Sequence, residues 1–97
     1  MPCNVRIEIR IEDEGSLRKA LSELGLLEAE DSNGLRIKGG GYWNRASNTL
    51  IHRNLGTANI IKQRYGVVRA ETLARIKGWK AKRVQQEDGQ VQVVIRR

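Results

Sequence analysis

The stretch from Thr57 to Trp79 constrains the fold most, because its apolar residues recur with the period of one long helix. Gly66 lies inside this pattern and costs a helix about 1 kcal/mol relative to alanine. It either permits the close approach of a neighbouring element or breaks the helix in two. We favour one continuous helix laid across a sheet. Its apolar stripe consists of Ile61, Tyr65, Val68, Thr72 and Ile76, bordered by Arg64 and Arg75 on one side and by Lys62 and Arg69 on the other.

The beginning of the chain predicts a strand followed by a helix. Charged residues alternate with apolar ones from Val5 to Ile11, which is typical of a strand with one buried face. Apolar residues then recur at helical spacing over residues 14–24. Asp13 or Ser16 can cap this helix, and Gly25 can end it in the left-handed conformation.

The middle of the chain is rich in turn signals. Residues 28–34 are polar and predict a turn around Asn33-Gly34, after which the alternation around Leu35 and Ile37 predicts a short strand. Three consecutive glycines begin the segment 39–45, which we interpret as a mobile or tightly bent loop. Residues 48–53 predict a third strand, and residues 54–56 turn the chain into the long helix.

Residues 80–97 predict a hairpin around Asp88-Gly89, a dipeptide that two-residue turns prefer. Such a loop places Val84 opposite Val93 and Gln86 opposite Val91. The residues predicted to share one apolar face are Val84, Val91, Val93 and Ile95. Those predicted on the opposite face are Arg83, Gln85, Gln90, Gln92 and Arg96.

The mixture of helices, strands and hairpins predicts a single α+β domain over residues 1–97. We expect a ferredoxin-like or related two-layer sandwich, with a mostly antiparallel sheet of about four or five strands, two helices on one face and a C-terminal β-hairpin. No apolar run approaches the roughly 20 residues of a membrane helix, and no secretory signal precedes the first strand. We therefore expect a cytoplasmic protein that binds no membrane.

Two patches of the chain form a recognisable combination: residues 17–25 (LRKALSELG), and a second patch that runs from Gln63-Arg64-Tyr65 through Gly78-Trp79 to the Glu87-Asp88-Gly89 turn. Together they resemble a small domain family of unknown function, which includes a conserved open reading frame protein of cyanobacteria and red-algal plastids. The resemblance implies the same order of elements and no particular activity, since its motifs define a fold. The triple glycine and the terminal Arg96-Arg97 depart from the family pattern.

Charge is distributed unevenly along the chain. Residues 1–40 contain six basic and eight acidic residues, a net charge of −2, whereas residues 41–97 contain twelve and three, a net charge of +9. This asymmetry predicts a basic face and an anionic partner. The alternative is that the basic side chains only solvate a helix and a sheet face.

A nucleic acid, DNA or RNA, is the anionic partner that this pattern favours. Tyr42 and Trp43 on the glycine loop, with Arg45 and Arg53 near them in sequence, could stack on an unpaired base, and core packing of the two aromatic rings is an equally favoured alternative. For Tyr65 and Trp79 we expect core packing. The cations predicted to follow a phosphate backbone are Lys62, Arg64, Arg69, Arg75, Lys77, Lys80, Lys82 and Arg83.

Enzymatic function is not expected. His52 is the sole histidine and Cys3 the sole thiol, and no motif places a base beside a nucleophile. The acidic residues 12–14 suit the start of a helix better than a metal site, and Gly39 to Gly41 lack the Gly-Lys-Ser/Thr ending of a P-loop. We expect neither cofactor nor metal.

The alternative function is a protein-interaction or adaptor module. An uncovered strand edge at residues 91–97 and exposed aromatic rings on the glycine loop would suit a homodimer or a larger acidic protein partner.

Overall fold

A computed structural model describes residues 7–85 and 91–96 of the chain. The strands and helices follow in the order β1 (Ile7–Arg10), α1 (Glu14–Leu24), β2 (Leu27–Glu30), β3 (Gly34–Ile37), β4 (Gly41–Asn44), β5 (Thr49–His52), α2 (Leu55–Ile76), β6 (Lys80–Gln85) and β7 (Val91–Arg96). No helix in these two ranges is long and apolar enough to cross a membrane. The first residues of the predicted N-terminal strand, Val5 and Arg6, and the thiol of Cys3 lie outside the described residues.

The main sheet is antiparallel and has five strands in the order β1-β5-β4-β3-β2. Strands β2 to β5 follow one another as a meander, and β5 then pairs with β1, so α1 carries the chain from one edge of the sheet to the other. The α+β class, the antiparallel sheet, the two helices and the C-terminal hairpin are thus confirmed. Four strands separate the helices, which makes this one of the related α+β arrangements.

The core lies between one face of this sheet and both helices. Leu35, Trp43 and Leu50 stand opposite one another on β3, β4 and β5, so their side chains share one face. They pack in one buried cluster with Leu17 of α1 and Ile61 of α2. Since the same cluster contains residues of both helices, both helices cover this face of the sheet.

Helix α2 is continuous through Gly66, as predicted, and it is buried on two sides. Ile61 and Val68 lie on the side of α2 that faces the sheet. Val67 is also buried but lies on another side, because at 100° per residue it is about 240° round the helix axis from Ile61. Strands β6 and β7 form a separate two-stranded sheet that contacts α2, which therefore lies between the sheet and the hairpin. The prediction that Ile76 belongs to the apolar stripe of the long helix is wrong, because this side chain is 73% exposed.

Two segments predicted as irregular form strands. Strand β2 occupies part of the predicted turn over residues 28–34, and the Asp31 side chain closes the real turn by accepting hydrogen bonds from the N–H groups of Asn33 and Gly34. In the predicted glycine loop, Gly39 and Gly40 turn the chain, with φ of 86° and 99°, and Arg45 begins the next turn, after β4. Gly41 begins β4, because burial of Trp43 against the core holds this segment in the sheet.

The register of the hairpin differs from the prediction by one residue. Arg83, and not Val84, is opposite Val93, and Val84 is opposite Gln92. The pair nearest the loop is Gln85 and Val91, and five residues, 86–90, separate them. A two-residue loop would leave an even number of residues between any two paired positions. The predicted Gln86–Val91 pair, Gln90 and the Asp88-Gly89 turn lie outside the described residues.

This slip moves side chains to the opposite face of the hairpin. Val91, Val93 and Ile95 share a face as predicted, but Arg83 and Gln85 share it with them. Val84 lies on the other face, with Gln92, Val94 and Arg96. The prediction is therefore wrong for Val84, Arg83 and Gln85.

Candidate nucleic-acid interface

Carboxylates from the early part of the chain bind several arginines that were predicted to contact a nucleic acid. Arg64 binds Glu23 at 3.0 Å, and Arg69 binds Asp13 at 3.0 Å. Arg45 donates two hydrogen bonds to Glu14, at 2.8 and 2.9 Å, and holds the pKa of that carboxyl below its ordinary value. The excess of negative charge in the first forty residues thus neutralises part of the positive excess that follows.

Arg83 is the centre of the largest of these ion-pair groups. Its guanidinium donates two hydrogen bonds to Glu23 and two to Glu71, at 2.7 to 3.0 Å. The hydrogen bond from Arg83, with a further one from Arg64, lowers the pKa of Glu23 from 4.5 to about 2. Arg83 therefore faces the helices, and two carboxylates hold its charge, so the prediction that it lies on an open basic surface is wrong.

The continuous basic surface predicted from helix and hairpin residues is therefore divided. Where the structure describes their surroundings, the remaining predicted cations form no ion pair with a carboxylate. Lys62 lies on α2 beside Asn59 and Gly66, on a side of the helix that faces neither the core nor the hairpin. Among the described residues, the predicted cations without a carboxylate partner are Arg53, Lys62, Arg75, Lys77, Lys80 and Lys82.

One surface brings several unpaired cations together: the face of the hairpin that points away from α2, which we call the outer ribbon face. Its side chains are all exposed, and all of them except Gln92 border a shallow groove of about 520 Å³, together with Ala81 of β6. No acidic residue occurs on this face within β6 and β7. The outer ribbon face consists of Lys80, Lys82 and Val84 on β6 and of Gln92, Val94 and Arg96 on β7.

The pairing places like charges together at one end of this face. Lys80 is directly opposite Arg96, and Lys82 is two residues further along β6. Like charges opposite each other in a sheet are destabilising, so a bound anion would relieve their repulsion. Lys77 lies near this end, with its ammonium 4.7 Å from the centre of the Trp79 ring, and Arg75 lies in the last turn of α2.

The two aromatic residues predicted to stack on a base are separated by the structure. Trp43 is 1% exposed, and its indole N–H donates a hydrogen bond to the carbonyl oxygen of Ile11 at 3.1 Å. The prediction that Trp43 stacks on a base is therefore wrong. Tyr42 lies on the opposite face of β4, where its hydroxyl donates a hydrogen bond to Asp31 at 2.8 Å. A strand through residues 41–44 puts adjacent side chains on opposite faces, so recognising that strand in the sequence would have placed Tyr42 and Trp43 on different faces.

Tyr65 packs against the core as predicted, and its hydroxyl accepts a hydrogen bond from the backbone N–H of Asp13. His52 is fully buried at the end of β5. Its Nδ1 accepts a hydrogen bond from the backbone N–H of Asn54 at 2.9 Å, and its Nε2 lies 3.2 Å from the carbonyl oxygen of Lys38. Both ring nitrogens are thus used to join the β3–β4 turn to the start of α2. Over the described ranges, no three His, Cys, Asp or Glu side chains are grouped so that they could hold a metal ion.

Sequence reasoning placed Arg96 correctly on the open side of the hairpin but missed its partners. Val84 was assigned to the face that holds Val91 and Val93, so its position on the outer ribbon face beside the cations of β6 was not foreseen. The alternation of Lys80, Lys82 and Val84 is visible in the sequence, but its orientation depends on the register.

The chain matches no family model, and no curated protein and no solved structure is significantly similar to it. The fold and the outer ribbon face therefore have to be interpreted from the chain itself.

Proposed function

We propose that this protein is a non-enzymatic nucleic-acid-binding domain whose outer ribbon face contacts the phosphate backbone. One observation carries the proposal: Lys80, Lys82 and Arg96 share an exposed face on which the described strands β6 and β7 have no carboxylate, whereas Arg83 on the inner face binds Glu23 and Glu71. Exposed, unpaired cations on one surface are what binding to phosphates requires.

The salt dependence of such binding follows from the number of cations. Each phosphate contact contributes about −0.9 to the slope of log K against log salt concentration. Lys77, Lys80, Lys82 and Arg96 together predict a slope of about −3 to −4. Binding should therefore weaken roughly a hundredfold between about 50 and 200 mM salt.

Charge reversal tests whether nucleic acid binds the outer ribbon face or the basic side of α2 that was predicted from the sequence. The expected result is that Lys82→Glu weakens binding of a labelled duplex by about tenfold in fluorescence anisotropy, because one attraction becomes a repulsion. Lys19→Glu makes the same change at an exposed position of α1 and should leave affinity nearly unchanged. Lys62→Glu distinguishes the two surfaces, since a loss larger than that of Lys82→Glu would assign binding to α2.

A second candidate function, a site for an acidic protein, is favoured by the exposed apolar residues of the hairpin. Val84, Val94 and Ile95 are 37%, 42% and 41% exposed. Pairing of two outer ribbon faces in a homodimer would bring their cations together, which opposes that arrangement. Retention of an acidic protein after nuclease treatment, with no affinity for nucleic acid, would support this second function over the first.

A further inference from the structure

We infer that two copies of this chain associate by pairing their β1 strands edge to edge in antiparallel orientation, which joins the two five-stranded sheets into one. The surface that carries this contact is the outer edge of β1, which is separate from the outer ribbon face. The contact between copies does not depend on binding of nucleic acid.

The outer edge of β1 presents free backbone groups. β1 is the first strand in the order of the sheet, and it pairs with β5 on one side. On that side the N–H group of Ile11 donates a hydrogen bond to the carbonyl oxygen of Asn48 at 2.8 Å. Because the backbone groups of alternate residues point to the same side of a strand, Glu8 and Arg10 direct theirs to the outer edge. Among the described residues, no backbone group pairs with them there.

The edge of β1 is regular, which distinguishes it from the opposite edge of the sheet. Its four pairs with β5 are continuous, whereas the pairing of β2 shifts between Leu27 and Ala29. Strand β2 also carries Glu28 and Glu30, so two copies of it would bring carboxylates together. Bulges and like charges protect sheet edges from pairing, and the described part of β1 has neither.

Charge selects one register for the pairing of two β1 strands. In an antiparallel pair, residues with outward backbone groups stand opposite each other and exchange two hydrogen bonds. Pairing centred on Ile9 places Glu8 of each copy opposite Arg10 of the other, so about four backbone hydrogen bonds form and opposite charges meet at both positions. The neighbouring registers place Glu8 opposite Glu8 or Arg10 opposite Arg10, and like-charge repulsion disfavours both.

The side chains on both faces of β1 suit this register. Glu8 and Arg10 are exposed on the face of the sheet that the helices leave open. Arg10 binds Glu12 at 3.1 Å, but these side chains are 74% and 67% exposed, so this ion pair contributes little and exchanges readily for a pair with Glu8 of the second copy. On the other face Ile9 packs against the core and is only partly buried, so contact with the second Ile9 would cover more of its apolar surface.

The symmetry of this dimer places both hairpins on one side. The two-fold axis that relates two antiparallel strands of one sheet is perpendicular to the sheet, so the helices of both copies lie on the same side of the joined sheet. Since α2 lies between the sheet and the hairpin, both hairpins also lie on that side. The dimer would offer two basic faces to one nucleic acid, a consequence that rests on the function proposed above.

Sedimentation equilibrium of the full chain, without nucleic acid, tests the association. Since each edge is a strand of four residues, we expect a weak dimer with a dissociation constant of about 100 μM. The mean mass should therefore rise between about 10 μM and 1 mM protein. Glu8→Arg and Arg10→Glu each place like charges opposite each other, and each should weaken association at least about tenfold. The double variant E8R/R10E restores opposite charges in the same register and should restore wild-type association.

Lys19→Glu is the matched control, because it makes the same change of charge as Arg10→Glu at an exposed position of α1, and it should leave association unchanged. Circular dichroism establishes that each variant is folded. A mass that stays monomeric up to about 1 mM would overturn the inference. A dimer that persists in a folded Arg10→Glu variant, or that E8R/R10E fails to restore, would also overturn it and assign the contact to another surface. Each of these results leaves the proposed function standing, whereas a dimer without affinity for nucleic acid would overturn that function alone.

Discussion

Arg83 on β6 binds Glu23 on α1 through two hydrogen bonds of 2.8 and 3.0 Å, across sixty positions of sequence. The same guanidinium binds Glu71 on α2 at 2.7 Å. A single side chain thus joins the hairpin to both helices. Because Arg83 must face the helices to do so, Lys80, Lys82 and Val84 are turned to the outside.

Replacing Arg83 by methionine should loosen the hairpin from the helices. The substitution keeps an apolar stem but removes the hydrogen bonds to Glu23 and Glu71, so we expect the free energy of unfolding to fall by about 2 kcal/mol. Urea denaturation measures this change. Arg75→Met is the matched control, because Arg75 is exposed and has no carboxylate partner among the described residues, and it should change stability by less than about 0.5 kcal/mol. Equal effects of the two variants would contradict the role assigned to Arg83.

Stability should fall in acid because of Glu23. Its pKa in the folded protein is about 2, against 4.5 for the ordinary group, so the unfolded chain takes up the proton first as the pH falls. The contribution of this carboxylate is present in full above about pH 5 and is lost as the pH falls towards 2. Allowing for its partial exposure, we expect about 2 kcal/mol. Denaturation at several pH values should show a flatter profile for Glu23→Gln; a parallel profile would refute the assignment.

Alanine at Gly66 should stabilise the protein. A Cβ atom there meets nothing within 4 Å, and the residue lies in the middle of α2, where alanine is favoured by about 1 kcal/mol. Gly25 also has open space around it, but its φ is 70°. Gly25→Ala should therefore destabilise by about 1 kcal/mol. Thermal melting of both variants tests whether backbone conformation, and not space, separates the two positions.

The fluorescence of Trp43 should be independent of nucleic acid. In Trp79→Phe, Trp43 is the sole tryptophan, and its burial predicts blue-shifted emission with little quenching by acrylamide. Added single-stranded DNA should leave this emission unchanged. Quenching by DNA would restore the base-stacking role predicted from the sequence. Trp43→Phe should lower stability by about 1 kcal/mol, because the hydrogen bond to Ile11 is lost.

Elements with a strong local period were predictable. The helix predicted over residues 14–24 agrees with α1 at both ends, and α2 was foreseen with its continuous passage through Gly66. Strands β2 and β4 were missed because polar residues and glycines resemble turns when they are viewed locally. Their pairing with β3 depends on neighbours such as Trp43, whose burial is a property of the assembled core.

The order of most helices and strands follows from local sequence, since hydrophobic period acts over a few residues, and so does the concentration of positive charge in the later part of the chain. Which of those charges are exposed depends on how the elements pack together. Ion pairs such as Arg69–Asp13 join positions 56 residues apart, and a one-residue difference in hairpin register reverses which side chains face solvent. Neither the ion pairs nor the register can be inferred from local pattern, because both depend on which segments meet in space.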